Sequence, residues 1–230
     1  DSSPDPEMIN LFNTMVDEMF DYGKHILLKK RKNPENDLLS AIANAKIEGK
    51  ELTQEFLDGS WLLIVFAGND TTRNTMSGGI KLLHDNQDQK ELLINNLDYL
   101  PNFINETVRC VSPVIHMRRT SLEETEINGQ RIGPFEKIAL WYGAANRDPE
   151  IFQDPDTFNI LRENADKHLA FGIGRHTCLG KPVALMQLRE FYSQFLGRFP
   201  DFEMNGEWKV APNNFVHAIQ EMPIKFSPKS

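Results

Sequence analysis

Apolar residues recur every three or four positions over residues 7–31, which is the spacing of a helix with one apolar face. The segment at 33–36 contains Pro34 and ends this pattern, and a shorter helix is predicted over residues 37–48. The apolar positions of the first helix are Met8, Phe12, Met15, Met19 and Ile26.

The longest apolar run follows Thr53, a residue type that favours the N-cap of a helix. Two interpretations fit the sequence WLLIVFAGNDTTRNTMSGGIKLLH: a buried strand that turns into a capped helix, and one continuous buried helix. The length of this segment without a proline favours the continuous helix. Gly68 then marks a local distortion of that helix.

The remaining pattern predicts further helices, small strands and one long coil. Asn128 and Gly129 indicate a hairpin turn, because both residue types accept positive φ angles. The predicted segments are helices at 87–94 and 97–110, a strand at EKIALWY, coil over 146–177, a helix from about Leu179 to Gly197, and strands within 201–226. This order predicts a mainly α fold with small β-sheets toward the C-terminus, in one domain.

Composition narrows the class of protein. Of the 230 residues, 40% are hydrophobic and 10% aromatic, which excludes a disordered chain. The apolar run at 61–67 is too short to cross a bilayer, so no membrane anchor is expected, and the net charge of −8 argues against nucleic-acid binding. Two cysteines, Cys110 and Cys178, do not make a disulfide framework, and no secretory signal is apparent. A cytoplasmic location is the resulting expectation.

The long coil, of a kind that is usually functional, ends in AFGIGRHTCLGKP, residues 170–182, here called the cysteine loop. A phosphate-binding loop is excluded, because Gly174 and Gly180 enclose five residues rather than four and Pro182 stands where Ser or Thr is required. Two interpretations of Cys178 remain open. It is a buried structural thiol, the commoner fate of a lone cysteine, or a thiolate at a helix N-terminus that a large flat group can approach over Gly180.

The spacing F-x-x-G-x-H-x-C-x-G in this loop resembles the haem-binding loop of bacterial cytochromes P-450, the haem-thiolate monooxygenases. The resemblance implies haem b as the cofactor, with the thiolate of Cys178 as the axial ligand of its iron. In that family, electron donation by the thiolate favours O–O cleavage. The cofactor-binding residues that the resemblance implies in this loop are Phe171, Gly172, Gly174, His176 and Gly180.

A second motif, ETVR, places Glu106 and Arg109 three residues apart on a predicted helix, where they share one face and can pair. Such spacing is common on helices and usually forms a solvated pair. Its position before the cysteine loop is similar to that of the family's structural Glu–Arg pair. The family often adds an arginine from the coil, and since Thr157 occupies that position here, Arg162 is the expected substitute.

A third motif, AGNDTT at 67–72, puts an acid and hydroxyls into an apolar helix, which is costly unless they are hydrogen-bonded. An N-cap is the alternative role for these residue types. The resemblance instead implies that Ala67 and Gly68 lie where the helix is distorted to make room for dioxygen. It also implies that Asp70 and Thr71 deliver protons to the oxygen site, a general acid–base task.

Around SPVIHMRRT, residues 112–120, the resemblance implies that Arg119 and His176 contact the haem propionates. It also implies that Val114 and Ile115 face the substrate, while His116 supports local structure. Two further apolar candidates, Phe215 and Val216, suit a hydrophobic substrate and a plain core equally well.

The resemblance covers residues 1–230 and corresponds to the C-terminal part of a single cytochrome P-450 domain. This part includes the long oxygen-binding helix and the haem-thiolate loop, while the N-terminal half of the fold is absent. The start of the chain at Asp1 agrees with this interpretation. Whether these residues alone retain haem stays open.

The implied activity inserts one atom of dioxygen into a C–H bond of a small hydrophobic substrate. GNDTTRNTMSGG with HMRRT is similar to soluble bacterial members that hydroxylate the ends of alkanes, fatty acids or sterol side chains. Electrons are expected from a ferredoxin and its flavin-dependent reductase, docking on a basic patch of Arg175, Lys181 and Arg189. Peroxide-driven oxidation and a truncated, haem-free remnant are the alternatives, and the acid–alcohol pair argues against the first.

Overall fold

The computed structural model describes residues 5–227, a mainly helical chain with small antiparallel two-stranded sheets, as the sequence predicted. It divides into two compact units, residues 1–69 and 70–230, and the division falls inside the longest helix. The prediction of a single domain stays a prediction. In the described residues no helix is long and apolar enough to cross a membrane.

The helices and strands have the following bounds. The helices are α1 (Pro6–Lys32), α2 (Leu38–Ala43), α3 (Gln54–Asp85), α4 (Gln87–Asn95), α5 (Leu100–Val111), α6 (Tyr142–Ala145) and α7 (Lys181–Arg198). The strands are β1 (Lys46–Ile47), β2 (Lys50–Glu51), β3 (His116–Thr120), β4 (Thr125–Ile127), β5 (Gln130–Ile132), β6 (Lys137–Trp141), β7 (Glu203–Met204), β8 (Lys209–Ala211), β9 (Ala218–Glu221) and β10 (Ile224–Lys225). The pairs are β1–β2, β3–β6, β4–β5, β7–β10 and β8–β9.

The first unit contains α1, α2 and the first half of α3. Asp5 caps α1 by accepting from the backbone N–H of Glu7 at 2.9 Å. Trp61 of α3 packs in the core and donates from its indole N–H to the Met19 carbonyl at 3.0 Å. A side chain at Gly23 would overlap that indole, so this position admits only glycine. The buried apolar residues of this unit are Leu27, Ala43, Leu57 and Trp61.

The structure corrects one predicted boundary in this unit. The helix predicted over 37–48 ends at Ala43, and the remainder forms the β1–β2 hairpin. Its turn is made by Glu48 and Gly49, both with positive φ angles of 52° and 79°, which are incompatible with a continuing helix.

The second unit is built on α5, α7 and the second half of α3. The ring of Phe103 on α5 meets the ring of Tyr192 on α7 edge-on, with centroids 4.7 Å apart. Burying each such large apolar side chain stabilises the fold by roughly 1.5–3 kcal/mol. The Tyr192 hydroxyl donates to the carbonyls of Thr75 and Met76 on α3 at 2.9 and 3.0 Å, and a side chain at Gly79 would overlap that hydroxyl. Helix α7 is thereby fixed against α3.

Two expectations about local backbone conformation, a hairpin turn and a helix distortion, have different outcomes. Asn128 and Gly129 have φ angles of 49° and 78° between β4 and β5, so the predicted hairpin turn is confirmed. The distortion predicted at Gly68 is not observed, because α3 is continuous from Gln54 to Asp85. Continuity also excludes the strand-to-helix interpretation of this segment, and Thr53 caps the helix through its hydroxyl, 3.3 Å from the Phe56 N–H.

Candidate functional site

The cysteine loop holds Cys178 at the surface, three residues before α7 begins. The loop is closed by the backbone N–H of Cys178, which donates to the Phe171 carbonyl at 2.8 Å. A further bond, from the Thr177 N–H to the Gly174 carbonyl at 3.1 Å, tightens the turn that precedes the cysteine. Because the thiol is exposed, its interpretation as a buried structural cysteine is wrong.

Three glycines shape the space around the thiol in different ways. Gly172 has a φ of 68°, and a Cβ there would lie 2.8 Å from the His176 carbonyl oxygen. Gly174 has a φ of 64°, but among the described residues no atom comes within 4 Å of its would-be Cβ. At Gly180 the would-be Cβ meets only the Cys178 Sγ, at 3.8 Å. The first two positions favour glycine because of their positive φ angles, whereas Gly180 leaves open space beside the sulfur of Cys178.

The surroundings of the thiol are apolar and exposed. Ile173 and Leu179 are 74% and 76% exposed on either side of the cysteine. The Phe171 ring is fixed between the His168 ring, at a centroid distance of 5.6 Å, and the Lys181 ammonium, 5.5 Å from the Phe171 centroid.

These residues fit haem. Among the described residues none forms a hydrogen bond with the Cys178 thiol, and its neighbourhood of glycine and apolar side chains suits a flat, largely apolar ring with iron at its centre. His176 is exposed in the same loop, and Arg119 is half-buried on β3, with its guanidinium donating to the Arg118 carbonyl at 2.9 Å. Both can serve the two carboxylates that such a ring carries.

His168 supports the start of the cysteine loop. Burial lowers its pKa to about 4, and the nearby Lys181 ammonium acts in the same direction. The ring is therefore neutral at pH 7, and its Nδ1 accepts from the Ala170 N–H at 3.3 Å. The adjacent turn is closed by the Gly172 N–H, which donates to the Leu169 carbonyl at 2.8 Å.

The predicted pairing of Glu106 with Arg109 is confirmed in a fully buried site. The guanidinium binds the carboxylate with two bonds of 2.8 Å, from Nε to Oε2 and from Nη2 to Oε1. Arg162 also reaches the carboxylate, its Nε lying 3.1 Å from both oxygens, as expected of the substitute partner. The three side chains are here called the buried ion cluster.

The buried ion cluster holds two guanidinium groups and one carboxylate, and backbone carbonyls compensate for the extra positive charge. Thr157 contributes its carbonyl, which accepts from Arg109 at 3.2 Å and from Arg162 at 2.9 Å. The further accepting carbonyls belong to Asn146, Gln153, Asp154 and Pro155. Each carbonyl oxygen that accepts such a hydrogen bond lowers the free-energy cost of burying the guanidinium charges.

Asn146 was not identified from the sequence, yet it connects the buried ion cluster to the cysteine loop. It is fully buried, and its carbonyl accepts from Arg109 at 2.8 Å. Its side-chain oxygen accepts from the Leu169 N–H at 2.6 Å, and its amide donates to the Ser112 hydroxyl at 2.8 Å. The sequence signal was weak, because an asparagine before Arg-Asp-Pro also fits an ordinary turn.

Helix α3 carries the acid–alcohol motif in its interior, so the alternative N-cap role of Asp70 and Thr71 is wrong. Asp70 is paired with Arg73, one turn later, at 2.6 Å, and about a third of its side chain is exposed. Ala67 and Gly68 are exposed on the preceding turn. Arg73 was missed as a partner of Asp70, although their i,i+3 spacing could have indicated it.

The four predicted apolar residues are brought together. The N–H of Ile115 donates to the Phe215 carbonyl at 2.8 Å, and Val114 and Val216 form an antiparallel bridge. Only Val216 is fully buried. His116, which follows them, stacks on Trp141 with centroids 4.9 Å apart, in agreement with its predicted local role.

Met117 and Arg119 share one face of strand β3, because successive side chains point to opposite faces.

The second cysteine, Cys110, is less exposed than Cys178. Burial raises the pKa of its thiol to about 11, so it stays protonated at pH 7. Among the described residues no group of three acidic, histidine or cysteine side chains could hold a metal ion.

Comparisons with known proteins agree on one family. The family model for cytochrome P-450 matches residues 5–226. A steroid C26-monooxygenase of Mycolicibacterium smegmatis is 37% identical over 212 residues, which cover 91% of this chain and 53% of that protein. A methyl-branched lipid omega-hydroxylase of Mycobacterium bovis is 32% identical over 228 residues, covering 97% of this chain and 53% of that protein.

The fold is similar to solved structures as well. The crystal structure of CYP109E1 from Bacillus megaterium in complex with testosterone matches with a TM-score of 0.86 and 32% identity, over 95% of this chain and 61% of that one. The chain spans about half the length of the curated relatives it matches.

Proposed function

The chain belongs to the cytochrome P-450 family, and from that premise we propose that it is the haem-thiolate part of a monooxygenase. The reaction inserts one atom of dioxygen into a C–H bond of a hydrophobic substrate. The observation that carries the proposal is the exposed thiol of Cys178, which lies beside the open space over Gly180 at the start of α7.

The residues of the cysteine loop have distinct roles in this proposal. Haem b, when bound, supplies the oxygen-activating chemistry, and Cys178 holds its iron as a thiolate. Gly180 would let such a ring approach the sulfur, and Phe171 would contribute apolar surface from the same loop. Arg119 and His176 bind the propionates by charge-assisted hydrogen bonds.

Helix α3 supplies protons and space. Asp70 is partly exposed, so its carboxylate can exchange protons with solvent, and the neighbouring Thr71 hydroxyl passes them toward the oxygen site. Ala67 and Gly68 lack bulky side chains and leave room for dioxygen on the same helix.

The substrate is proposed to be an alkane, a fatty acid or a sterol side chain that is hydroxylated at its end. Val114, Ile115 and Phe215 form an apolar group that is only half-buried, which leaves surface for a hydrophobic ligand. The names of two relatives, a steroid C26-monooxygenase and a methyl-branched lipid omega-hydroxylase, support the same substrate class.

Electrons are proposed to come from a ferredoxin and a flavin-dependent ferredoxin reductase. Arg175 lies in the cysteine loop that carries Cys178, and Lys181 and Arg189 lie on α7, which follows that loop. Positive charge there suits an acidic electron carrier despite the acidic total of the chain.

The experiment that tests the proposal is the carbon-monoxide difference spectrum of the reduced protein after haem addition. The chain and its Cys110→Ser variant should give the red-shifted Soret band of thiolate-bound haem, and Cys178→Ser should give none. Cys110→Ser is the matched control, because it removes the other thiol. A band that persists in Cys178→Ser would contradict the assignment of the ligand.

The same experiment is extended to a chain of its relatives' full length. A band that appears only in the longer chain would keep Cys178 as the ligand and show that these residues alone do not retain haem. No band in either form would overturn the proposal. Product formation with hydrogen peroxide, compared with a reductase and ferredoxin pair, then separates peroxide-driven oxidation from dioxygen-dependent hydroxylation.

A further inference from the structure

A buried amide on α3, that of Asn74, contacts two segments with separate roles in the proposed function. The side chain is 2% exposed. Its Nδ2 donates to the Asp70 carbonyl at 2.9 Å, and its Oδ1 accepts from the Ile219 N–H at 3.0 Å. One amide therefore joins the turn that carries the acid–alcohol pair to strand β9.

Strand β9 belongs to the β8–β9 hairpin, residues 209–221, which carries Phe215 and Val216. The other side of this hairpin is bonded to the segment before β3. The His217 N–H donates to the Pro113 carbonyl at 2.9 Å, next to the bridge between Val114 and Val216. The hairpin and the segment 113–115 are thus one backbone-paired group, which contains the proposed substrate-facing residues Val114, Ile115 and Phe215.

A cleft of about 270 Å³, half-open to the outside, adjoins the contact between Asn74 and the hairpin. It is lined by Arg73, Asn74, Ser77, Ile219, Gln220 and Met222. Side chains do not fill the space beside this contact, so the directional bond from the Ile219 N–H to Asn74 contributes to the spacing between α3 and the hairpin.

The helical side of the contact is equally specific. The bond from Asn74 to the Asp70 carbonyl lies within one turn of α3, and Thr75 makes the corresponding bond to the Thr71 carbonyl at 2.8 Å. Side-chain bonds of this kind bend a helix and compete with its backbone bonds. Only Asn74 also accepts a bond from the hairpin, so Thr75 provides a matched control.

We propose that Asn74 is a positioning residue that sets the distance between the proton-delivering turn of α3 and the substrate-facing hairpin. The inference rests on the proposed function for the roles of Asp70, Thr71 and Phe215. In the loaded enzyme, this distance determines which carbon of a chain-like substrate is presented for hydroxylation.

The first test is amide hydrogen exchange of the haem-free chain. In Asn74→Leu, which keeps the volume and loses both bonds, the Ile219 amide should exchange about tenfold faster, as expected for the loss of one hydrogen bond. Asn74→Asp keeps the accepting oxygen and should restore slow exchange, and Thr75→Val should leave it unchanged. Asn74→Ala gives the same readout if leucine does not fit. Exchange within about twofold of the parent in both Asn74→Leu and Asn74→Ala would overturn the proposal.

The second test uses the haem-loaded protein and a saturated fatty acid. Asn74→Leu should spread hydroxylation over more positions of the chain, whereas Thr75→Val should keep the parent's product pattern. Faster exchange with an unchanged product pattern would overturn the positioning role. The exchange test needs no haem, so an absent thiolate band contradicts the proposed function without deciding the role of Asn74.

Discussion

The buried ion cluster and the cysteine loop lie in the same unit but satisfy their polar groups in opposite ways. Glu106, Arg109 and Arg162 are buried, and their charges are met by each other and by backbone carbonyls. In the cysteine loop the backbone groups form hydrogen bonds, whereas the thiol of Cys178 and the space beside Gly180 are exposed.

This difference distinguishes residues that stabilise the fold, those of the buried ion cluster, from residues that are accessible for binding, those of the cysteine loop. A buried charge that lacks a partner destabilises the fold by several kcal/mol, so each charged group of the cluster needs a bonded partner. The loop carries an open position because its conformation is fixed elsewhere, by glycines at positive φ and by the bond from Leu169 to Asn146. The two regions should therefore respond differently to substitution.

The largest effect is expected for Glu106→Gln. The change leaves two buried guanidinium groups without their carboxylate, and we expect a loss of about 3–5 kcal/mol in the free energy of unfolding. Urea denaturation of the chain followed by circular dichroism measures this loss. Glu91→Gln, at an exposed site on α4, is the control and should stay within about 0.5 kcal/mol of the parent. Equal stabilities of the two variants would show that the cluster does not stabilise the fold.

A pH dependence is expected from His168, whose pKa is lowered from 6.5 to about 4. The unfolded chain binds a proton in this range and the folded chain does not, so stability is fully present above pH 6.5 and falls as the pH decreases toward 4. At pH 5 the loss should approach roughly 2 kcal/mol.

Denaturation of the chain at pH 7.5 and pH 5 measures this dependence. His168→Gln should flatten it, while His25→Gln, at an exposed site on α1, should not. An equal slope in His168→Gln and the parent would assign the acid sensitivity to other groups.

A smaller difference is expected between two glycines of the cysteine loop. Gly172→Ala should cost roughly 1–3 kcal/mol, because the residue keeps a positive φ and its Cβ lies 2.8 Å from the His176 carbonyl oxygen. Gly174→Ala bears the cost of the positive φ alone, about 1 kcal/mol, since its Cβ has open space. Thermal unfolding of both variants tests the order, and a larger loss in Gly174→Ala would contradict it.

The smallest effect on stability is expected for Cys178→Ser. The side chain is exposed, so the free energy of unfolding of the haem-free chain should change by less than about 0.5 kcal/mol. Denaturation without haem measures this, and Cys110→Ser, at a buried thiol, should cost more. A large loss in Cys178→Ser would mean that the thiol supports the fold as well.

Local patterns predicted most elements of the fold. Helical spacing identified α1, α4, α5 and α7, and the Asn-Gly pair identified the β4–β5 hairpin. Spacing did not reveal burial, because Met8, Phe12 and Met15 of α1 are each at least 60% exposed. Nor did Gly68 distort α3, since a glycine permits a distortion without requiring one.

The candidate site was predictable where its signal is a short motif. Cys178, Glu106 and Arg109 belong to such motifs, and the structure brings the last two together as expected. Asn146 and Asn74 were missed because their partners are distant in the sequence. The bond from Leu169 to Asn146 spans 23 residues and that from Ile219 to Asn74 spans 145, so only the folded chain identifies them.

The long reach of Glu106 also has a consequence for biosynthesis. Its second partner, Arg162, follows 56 residues later, and the cysteine loop comes after both. A nascent chain exposes its N-terminal segments first. While Arg162 is still inside the ribosome, the Glu106 carboxylate on α5 lacks this partner, and the bond from Leu169 to Asn146 cannot yet form. The cysteine loop should therefore reach its folded conformation only after Arg162 and Leu169 have left the ribosome and bonded to Glu106 and Asn146.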